Sequence, residues 1–308
     1  MPLTCSLTGP TLQSVSDREG VSMKARRIAA ICGASLLALC GQSFAQDARP
    51  QPWTTLRETT VLPTPVETGR EKVNGVELYY AIYGKGRPVV FLHPGLGHGD
   101  YWANQVGPLS QDYQVIVVDL RGHGRSTGSD QPLSYELMAD DIMKLMQKLH
   151  IRKPAIVGWG DGALVGLELA MRHPKRLTKL VAFGLTYDVS GQQPGVDQTQ
   201  TFIDYVHKAV ADHQKLSPQP ERLDATFRQL EALWASAPRY TPAELAKVEV
   251  PTAVIAAEYD EWVKLSHMEE AARLLPNSQI LVLRRTSHFA PWQAPKTFND
   301  ALKLVLRY

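Results

Sequence analysis

The sequence predicts an α/β fold, a mostly parallel sheet covered by helices on both faces, with a helical segment inserted near its middle. Three observations predict it. Continuous apolar runs at 88–92 and 115–118 have the character of strands buried on both faces, and 177–183 and 252–257 read as further strands of the same sheet. They alternate with stretches of helical periodicity, as crossover connections between parallel strands require. His93, Asp119, Gly160, Asp260 and His288 fall at or just beyond the ends of successive strands, where open α/β sheets place their chemistry.

The 308-residue chain is 44% hydrophobic with a formal net charge of +2, which suits an ordinary globular core. Lys and Arg are scattered, so no nucleic acid or acidic membrane surface is implied as a partner. A small molecule is the expected partner, on a monomer or small homo-oligomer.

Residues 1–45 read as an N-terminal extension and signal peptide. Lys24, Arg26 and Arg27 supply a positive start, 28–39 an apolar run of 12 residues, and Ser43-Phe44-Ala45 a small-residue cleavage site. Bilayer spanning takes about 20 residues, so no stable membrane anchor is expected. Residues 1–22 fit no targeting pattern, which suggests Met23 as the initiator. A lipoprotein reading through Cys40 meets a bulky Leu39 where a small residue is usual. Cys5, Cys32 and Cys40 all lie in this segment, which leaves the exported chain without disulfides, cysteine nucleophiles or thiolate metal sites.

Residues 46–69, rich in Pro and Thr, form an exposed leader. The main domain, 70–308, starts with a hairpin: Val73, Val76, Leu78, Tyr80 and Ile82 alternate around Asn74-Gly75. The strand at 88–92 leads into His93-Pro94-Gly95-Leu96-Gly97, and that at 115–118 into Asp119-Leu120-Arg121-Gly122-His123-Gly124-Arg125-Ser126. An amphipathic helix spans 135–149. After the strand at 177–183 the pattern changes: residues 187–245 hold two helices, 201–216 and 221–235, split by Pro218 and Pro220, as a lid over a pocket would. A strand at 252–257, a helix at 266–275, a strand at 279–283 and a helix at 295–307 close the chain.

The central stretch is Gly158-Trp159-Gly160-Asp161-Gly162, between a buried strand and the helix at 164–173. Strand, sharp turn and helix with this glycine spacing are the frame of a G-x-S-x-G nucleophile elbow, with Gly160 where the serine stands. Shifting the register would make Asp161 the nucleophile, but Trp159 then occupies a position that needs a small residue. A phosphate-binding reading fails on spacing, because G-x-G-x-x-G is absent and no Lys-Ser/Thr pair follows.

With these motifs the sequence resembles the α/β-hydrolase superfamily, in its branch of small ester, lactone and C–C hydrolases, over about residues 70–308. The resemblance implies that His288, beside Ser287, Phe289 and Ala290, is a general base and that Asp260 orients it. Glu258 lies two residues earlier, still on its strand, and is the weaker candidate. The resemblance further implies an oxyanion hole from the backbone N–H groups of Gly95 and Asp161. A substrate pocket is expected from His98, Trp102, Trp159 and Trp262, with His123 bracing a turn. No cofactor is implied, and the nine histidines show no metal-ligand spacing.

With glycine at the nucleophile position, three readings compete. His288 and Asp260 could activate water directly for weak hydrolysis of ester, lactone or related carbonyl substrates. The pocket could hold a ligand without chemistry. The glycine could be a change introduced into an active esterase. The targeting segment carries its own expectation of a periplasmic or secreted protein: N-terminal sequencing of the exported fraction should find a chain starting at Gln46, and recovery of one that keeps Met23 would overturn the signal-peptide reading.

Overall fold

The computed structural model describes residues 51–307. The signal-peptide and initiator expectations lie outside them. Eight strands form one sheet: β1 (Glu67–Val73), β2 (Val76–Tyr83), β3 (Arg87–Leu92), β4 (Tyr113–Val118), β5 (Ala155–Trp159), β6 (Lys179–Phe183), β7 (Thr252–Ala257) and β8 (Ser278–Leu283). Their order is β1-β2-β4-β3-β5-β6-β7-β8. β1 and β2 pair antiparallel, as do β2 and β4, and all later pairings are parallel.

The continuous apolar runs are explained by two cores. Val90, Leu92, Ile116, Val118, Ile156 and Leu180 point to one face, against α2 (Tyr135–Lys148), α3 (Asp161–Arg172) and α7 (Leu265–Leu274). Val89, Phe91, Val115, Val117, Val157 and Val181 point to the other, against α1 (Ala103–Leu109) and α9 (Pro295–Arg307). Successive side chains of a strand alternate faces, so a strand covered on both sides must be apolar at every position. The helices need one apolar stripe only, and α9 shows it in Phe298, Ala301, Leu302, Val305 and Leu306.

Between β6 and β7 the chain leaves this plan. It forms α4 (Gln200–Leu216), α5 (Leu223–Ser236) and a single-turn α6 (Pro242–Leu245) before returning to the sheet. Thr199 caps α4 by accepting from the Phe202 N–H, and Thr241 with Glu244 forms a capping box on α6.

Three details differ from the sequence reading. β1 begins at Glu67, because its backbone pairs with β2 although its first residues offer no apolar alternation. α1 was not expected: Gly107 and Pro108 lie within its seven residues, and burial of Val106 and Leu109 outweighs their poor propensity. Residues 51–66 are mostly exposed yet tied down, since Gln293 Nε2 donates to the carbonyls of Trp53 and Thr55, and Trp53 stacks on Tyr259 at 4.7 Å.

The crossing of β5 and α3 has no slack. A Cβ on Gly158 would lie 2.2 Å from the Gly162 carbonyl oxygen, and one on Gly162 would lie 2.1 Å from that of Leu92. Both neighbours are backbone and cannot rotate away. Gly162→Ala should therefore lower unfolding free energy by about 3 kcal/mol or more in urea titration, by overpacking. Gly107→Ala, where a Cβ meets nothing within 4 Å, should be neutral or stabilising. Equal effects of the two changes would show that strand and helix can separate.

Candidate active site

β5 ends at Trp159 and α3 begins at Asp161, so the whole reversal is made at Gly160, with φ 55° and ψ −116°. A side chain there stands proud of the turn in a sparsely populated conformation. The Gly160 N–H donates to the Phe183 carbonyl at 2.9 Å, which ties the turn to the end of β6. A Cβ at Gly160 would lie 3.3 Å from His288 Nε2 and 3.5 Å from Pro94 Cβ. The position is thus close to a base, and a side chain there would need the imidazole to give by a few tenths of an ångström.

His288 follows β8 on a loop and is fully buried. Its Nδ1 lies 3.0 and 3.1 Å from the two carboxylate oxygens of Asp260. Asp260 is itself held, since its Oδ1 accepts the backbone N–H groups of Trp262 and Val263 at 2.9 Å each. Glu258 is engaged elsewhere, accepting the Arg285 N–H. Phe183 and Trp262 lie nearly parallel to the imidazole, at ring distances of 5.9 and 5.2 Å. Gly184, at φ 65°, leaves the space that the ring fills: a Cβ there would sit 2.6 Å from His288 Cε1. Burial alone would lower the His288 pKa, but the charge and hydrogen bond of Asp260, with Glu261 and Asp161 beyond, raise it above the usual 6.5.

Of the two N–H groups expected as oxyanion donors, one is engaged within the protein. The Gly95 N–H is not free: it donates to Asp161 Oδ2 at 3.0 Å. Asp161 Oδ1 accepts two more donors, the Tyr135 hydroxyl and the Trp234 indole N–H of α5, each at 2.8 Å. A carboxylate can satisfy three donors that two backbone N–H groups alone could not have anticipated. The Asp161 N–H, at the first position of α3, has no acceptor among the described residues.

Comparison with known proteins now has a geometry to meet. A profile described as alpha/beta hydrolase fold matches residues 87–208. The protein named "Putative carbamate hydrolase RutD" of Caulobacter vibrioides is 31% identical over 252 residues, covering 73% of this chain and 93% of its own length. The chain belongs to the α/β-hydrolase fold family. Among solved structures, Est816, described as an N-acyl homoserine lactone degrading enzyme, superposes with a TM-score of 0.63 at 26% identity, over 76% of this chain and 99% of its own. The enol-lactonase of Burkholderia xenovorans LB400 shares the fold, with a TM-score of 0.63 at 22% identity over 78% of this chain and 100% of its own.

Within this hydrolase fold, the expected pocket residues separate. Trp262 contacts the His288 ring and meets Phe202 and Tyr205 of α4. Trp102 and Trp159, each 0% exposed, belong instead to the core, edge to face with one another, with Phe298 tilted against Trp102 and Phe289 edge to face with Trp159. Large rings beside a loop serve packing as readily as binding. His98 is also displaced from the expected pocket: its Nε2 lies 3.2 Å from Asp212 of α4, at a small void shared with His123 and His213. His123 Nδ1 donates to the Arg121 carbonyl at 2.9 Å, within the turn.

That turn is held by Asp119. Its carboxylate accepts the N–H groups of Gly99 and Arg125, while Ser126 Oγ donates to its carbonyl and accepts the Tyr79 N–H. Arg121 makes a bidentate pair with Asp141, both 1% exposed, which anchors the turn to α2.

Several residues of the site escaped the sequence reading. Glu261 Oε2 accepts the His288 backbone N–H at 2.8 Å, and its Oε1 accepts the Thr201 hydroxyl of α4 at 3.0 Å. Burial, then the charge of Asp260, raises its pKa. Tyr135, Trp234, Tyr205 and Gly184 complete the set. Tyr205 donates to the Gly95 carbonyl, and Tyr135 also lines a cleft of about 560 Å³ with Glu168, Leu233 and Tyr240. Only adjacency to Asp260 marks Glu261 in the sequence; the others carry no local signal.

An imidazole must be neutral to take a proton, so any rate that depends on His288 as base falls as pH drops through its raised pKa. NMR titration of the His288 ring should give a midpoint above 6.5, moved down in Asp260→Asn and, by less, in Glu261→Gln. A wild-type midpoint below 6.5 would mean that burial outweighs the carboxylates.

Proposed function

We propose that this protein is a hydrolase of small ester, lactone or related carbonyl substrates in which His288, oriented by Asp260, activates a water molecule directly. The observation that carries this reading is the intact His288–Asp260 pair, at 3.0 Å, with Nε2 directed at a position where no nucleophilic side chain stands. Asp260 fixes the tautomer with hydrogen on Nδ1 and stabilises the imidazolium that forms, while Nε2 takes the proton of the attacking water. α4 and α5 act as a lid: Thr201, Tyr205 and Trp234 reach Glu261, Gly95 and Asp161 in turn. The Asp161 N–H, and the Gly95 N–H once the Asp161 carboxylate has turned away, are the donors for the developing oxyanion. The protein works outside the cytoplasm, on the strength of its targeting segment.

The lack of a covalent nucleophile sets the scale. Removing a triad nucleophile leaves about 10³ to 10⁴-fold acceleration over water, from binding and oxyanion stabilisation. Native turnover is therefore weak. A second reading, a non-catalytic binder of a small molecule, draws on one observation: Asp161 occupies the Gly95 donor.

Gly160→Ser separates the two readings. The added Oγ comes within hydrogen-bond reach of Nε2, so activity on short acyl esters and lactones should rise by up to about 10³-fold, at a backbone cost of about 1 to 3 kcal/mol for a side chain in this conformation. The gain should vanish in Gly160→Ser, His288→Ala. A folded Gly160→Ser protein without esterase activity, alongside inactive wild type, would leave the binder reading in place.

A further inference from the structure

We propose that the cleft between α2, α3 and the chain running from the end of α5 to α6 binds an organic ammonium ion, its nitrogen on the Glu168 carboxylate and its hydrocarbon body along the apolar wall. The cleft measures about 560 Å³, a volume that holds a small-molecule ligand. It is distinct from the elbow site. Gly95, Gly160, Asp260 and His288 do not line it, and only Tyr135, whose hydroxyl donates to Asp161, reaches both.

The basis is a buried carboxylate that lacks a cation. Glu168, 4% exposed, accepts the Tyr240 hydroxyl on Oε1 at 2.6 Å, while its Oε2 makes no hydrogen bond and neither oxygen pairs with a Lys, Arg or His among the described residues. Arg172, one turn further along α3, is committed to α2 instead: it lies 2.9 Å from Asp140 Oδ1 and donates to the Glu136 carbonyl at 3.0 Å. Buried carboxylates are ordinarily paired, because one neutral hydrogen bond does not replace the hydration that a charge loses. Burial accordingly raises the Glu168 pKa; the Tyr240 hydroxyl and Arg172 oppose the rise, and Glu136 and Asp140 add to it.

An ammonium group supplies what is missing. It brings one positive charge and N–H donors, one of which meets Oε2 in a charge-assisted hydrogen bond. Met171, Leu233, Ala237 and Pro238 give the cleft apolar surface for a hydrocarbon body. The mouth carries both signs, Glu136 and Glu244 with Arg239 and Lys247, and so has no preference of its own. Selection for a cation therefore rests on Glu168.

Glu168 also has a purely structural account, in which it fastens Tyr240 to α3 and binds nothing. Phenethylammonium chloride separates the two, with phenethyl alcohol as a neutral molecule of nearly the same shape, each titrated into the full chain by calorimetry at neutral pH, where the amine is charged. Wild type should bind one ammonium per chain, at least about tenfold more tightly than the alcohol. Glu168→Gln keeps an oxygen for the Tyr240 hydroxyl and removes the charge, so it should fold with an unchanged thermal midpoint and lose the preference for the ammonium. Met171→Trp, which fills the cleft from a partly exposed position, should weaken binding with Glu168 intact, and it tests the site independently should Glu168→Gln fold poorly. No ammonium binding by the wild type, equal affinity for ammonium and alcohol, or ammonium affinity undiminished in either variant would overturn the site and leave Glu168 as a fastener.

Discussion

The approach of α3 to β3 across the end of β5 is the constraint on which this structure depends. Gly162 packs against the carbonyls of Leu92 and His93, and Gly158 against Gly162 itself. With no side chain at either position, β5 can turn into α3 within one residue, and that residue is forced to positive φ. The same contact sets the height of the loop after β3, which brings Pro94 and Gly95 over Gly160. The distance from Gly95 to Asp161 follows from how closely strand and helix pass.

Electrostatically the site consists of one imidazole among three carboxylates, and each carboxylate has a different task. Asp260 holds the Nδ1 edge, Glu261 the backbone of the same residue, and Asp161 the Gly95 N–H. All three favour a charged imidazole. Asp161 also holds the Gly95 N–H firmly, because a hydrogen bond to a charged group contributes about 1.5 to 3 kcal/mol, and Asp161 accepts three. Any acceptor that takes up the Gly95 N–H must displace a carboxylate that is already well satisfied. Two of its donors, Tyr135 and Trp234, come from α2 and α5, so the strength of that hold depends on how the helical insertion is seated.

The sequence made the frame legible because the frame is local. Strand runs, the Asn74-Gly75 turn, the glycine spacing at 158–162 and the order of Asp260 and His288 are all short-range patterns, and each reappears in the structure within a few residues of where it was read. The partners were not legible. Asp161 and Tyr135 are 26 residues apart, Asp161 and Trp234 73, and Thr201 and Glu261 60. Side chains meeting over such separations leave no spacing to read. Trp102 and Trp159 show the opposite failure: nearness in sequence to the loops of the site suggested a pocket, whereas the alternation of β5 and the start of α1 turn both rings into the core.

Glycine at the elbow also has a physical consequence for stability. A side chain at φ 55° is strained by about 1 to 3 kcal/mol, which an elbow serine ordinarily imposes on its fold for the sake of chemistry. Gly160 adopts the same conformation without that strain. The turn is kept by Gly158, Gly162 and the Phe183 carbonyl, none of which needs a side chain at 160. The frame can therefore lose its nucleophile without relaxing. That His288 still faces the empty position, buried and paired with Asp260, follows from contacts with Phe183, Gly184, Trp262 and Glu261 that lie outside the elbow altogether. The base is positioned by the body of the protein, so its orientation beside the turn does not depend on a side chain at 160.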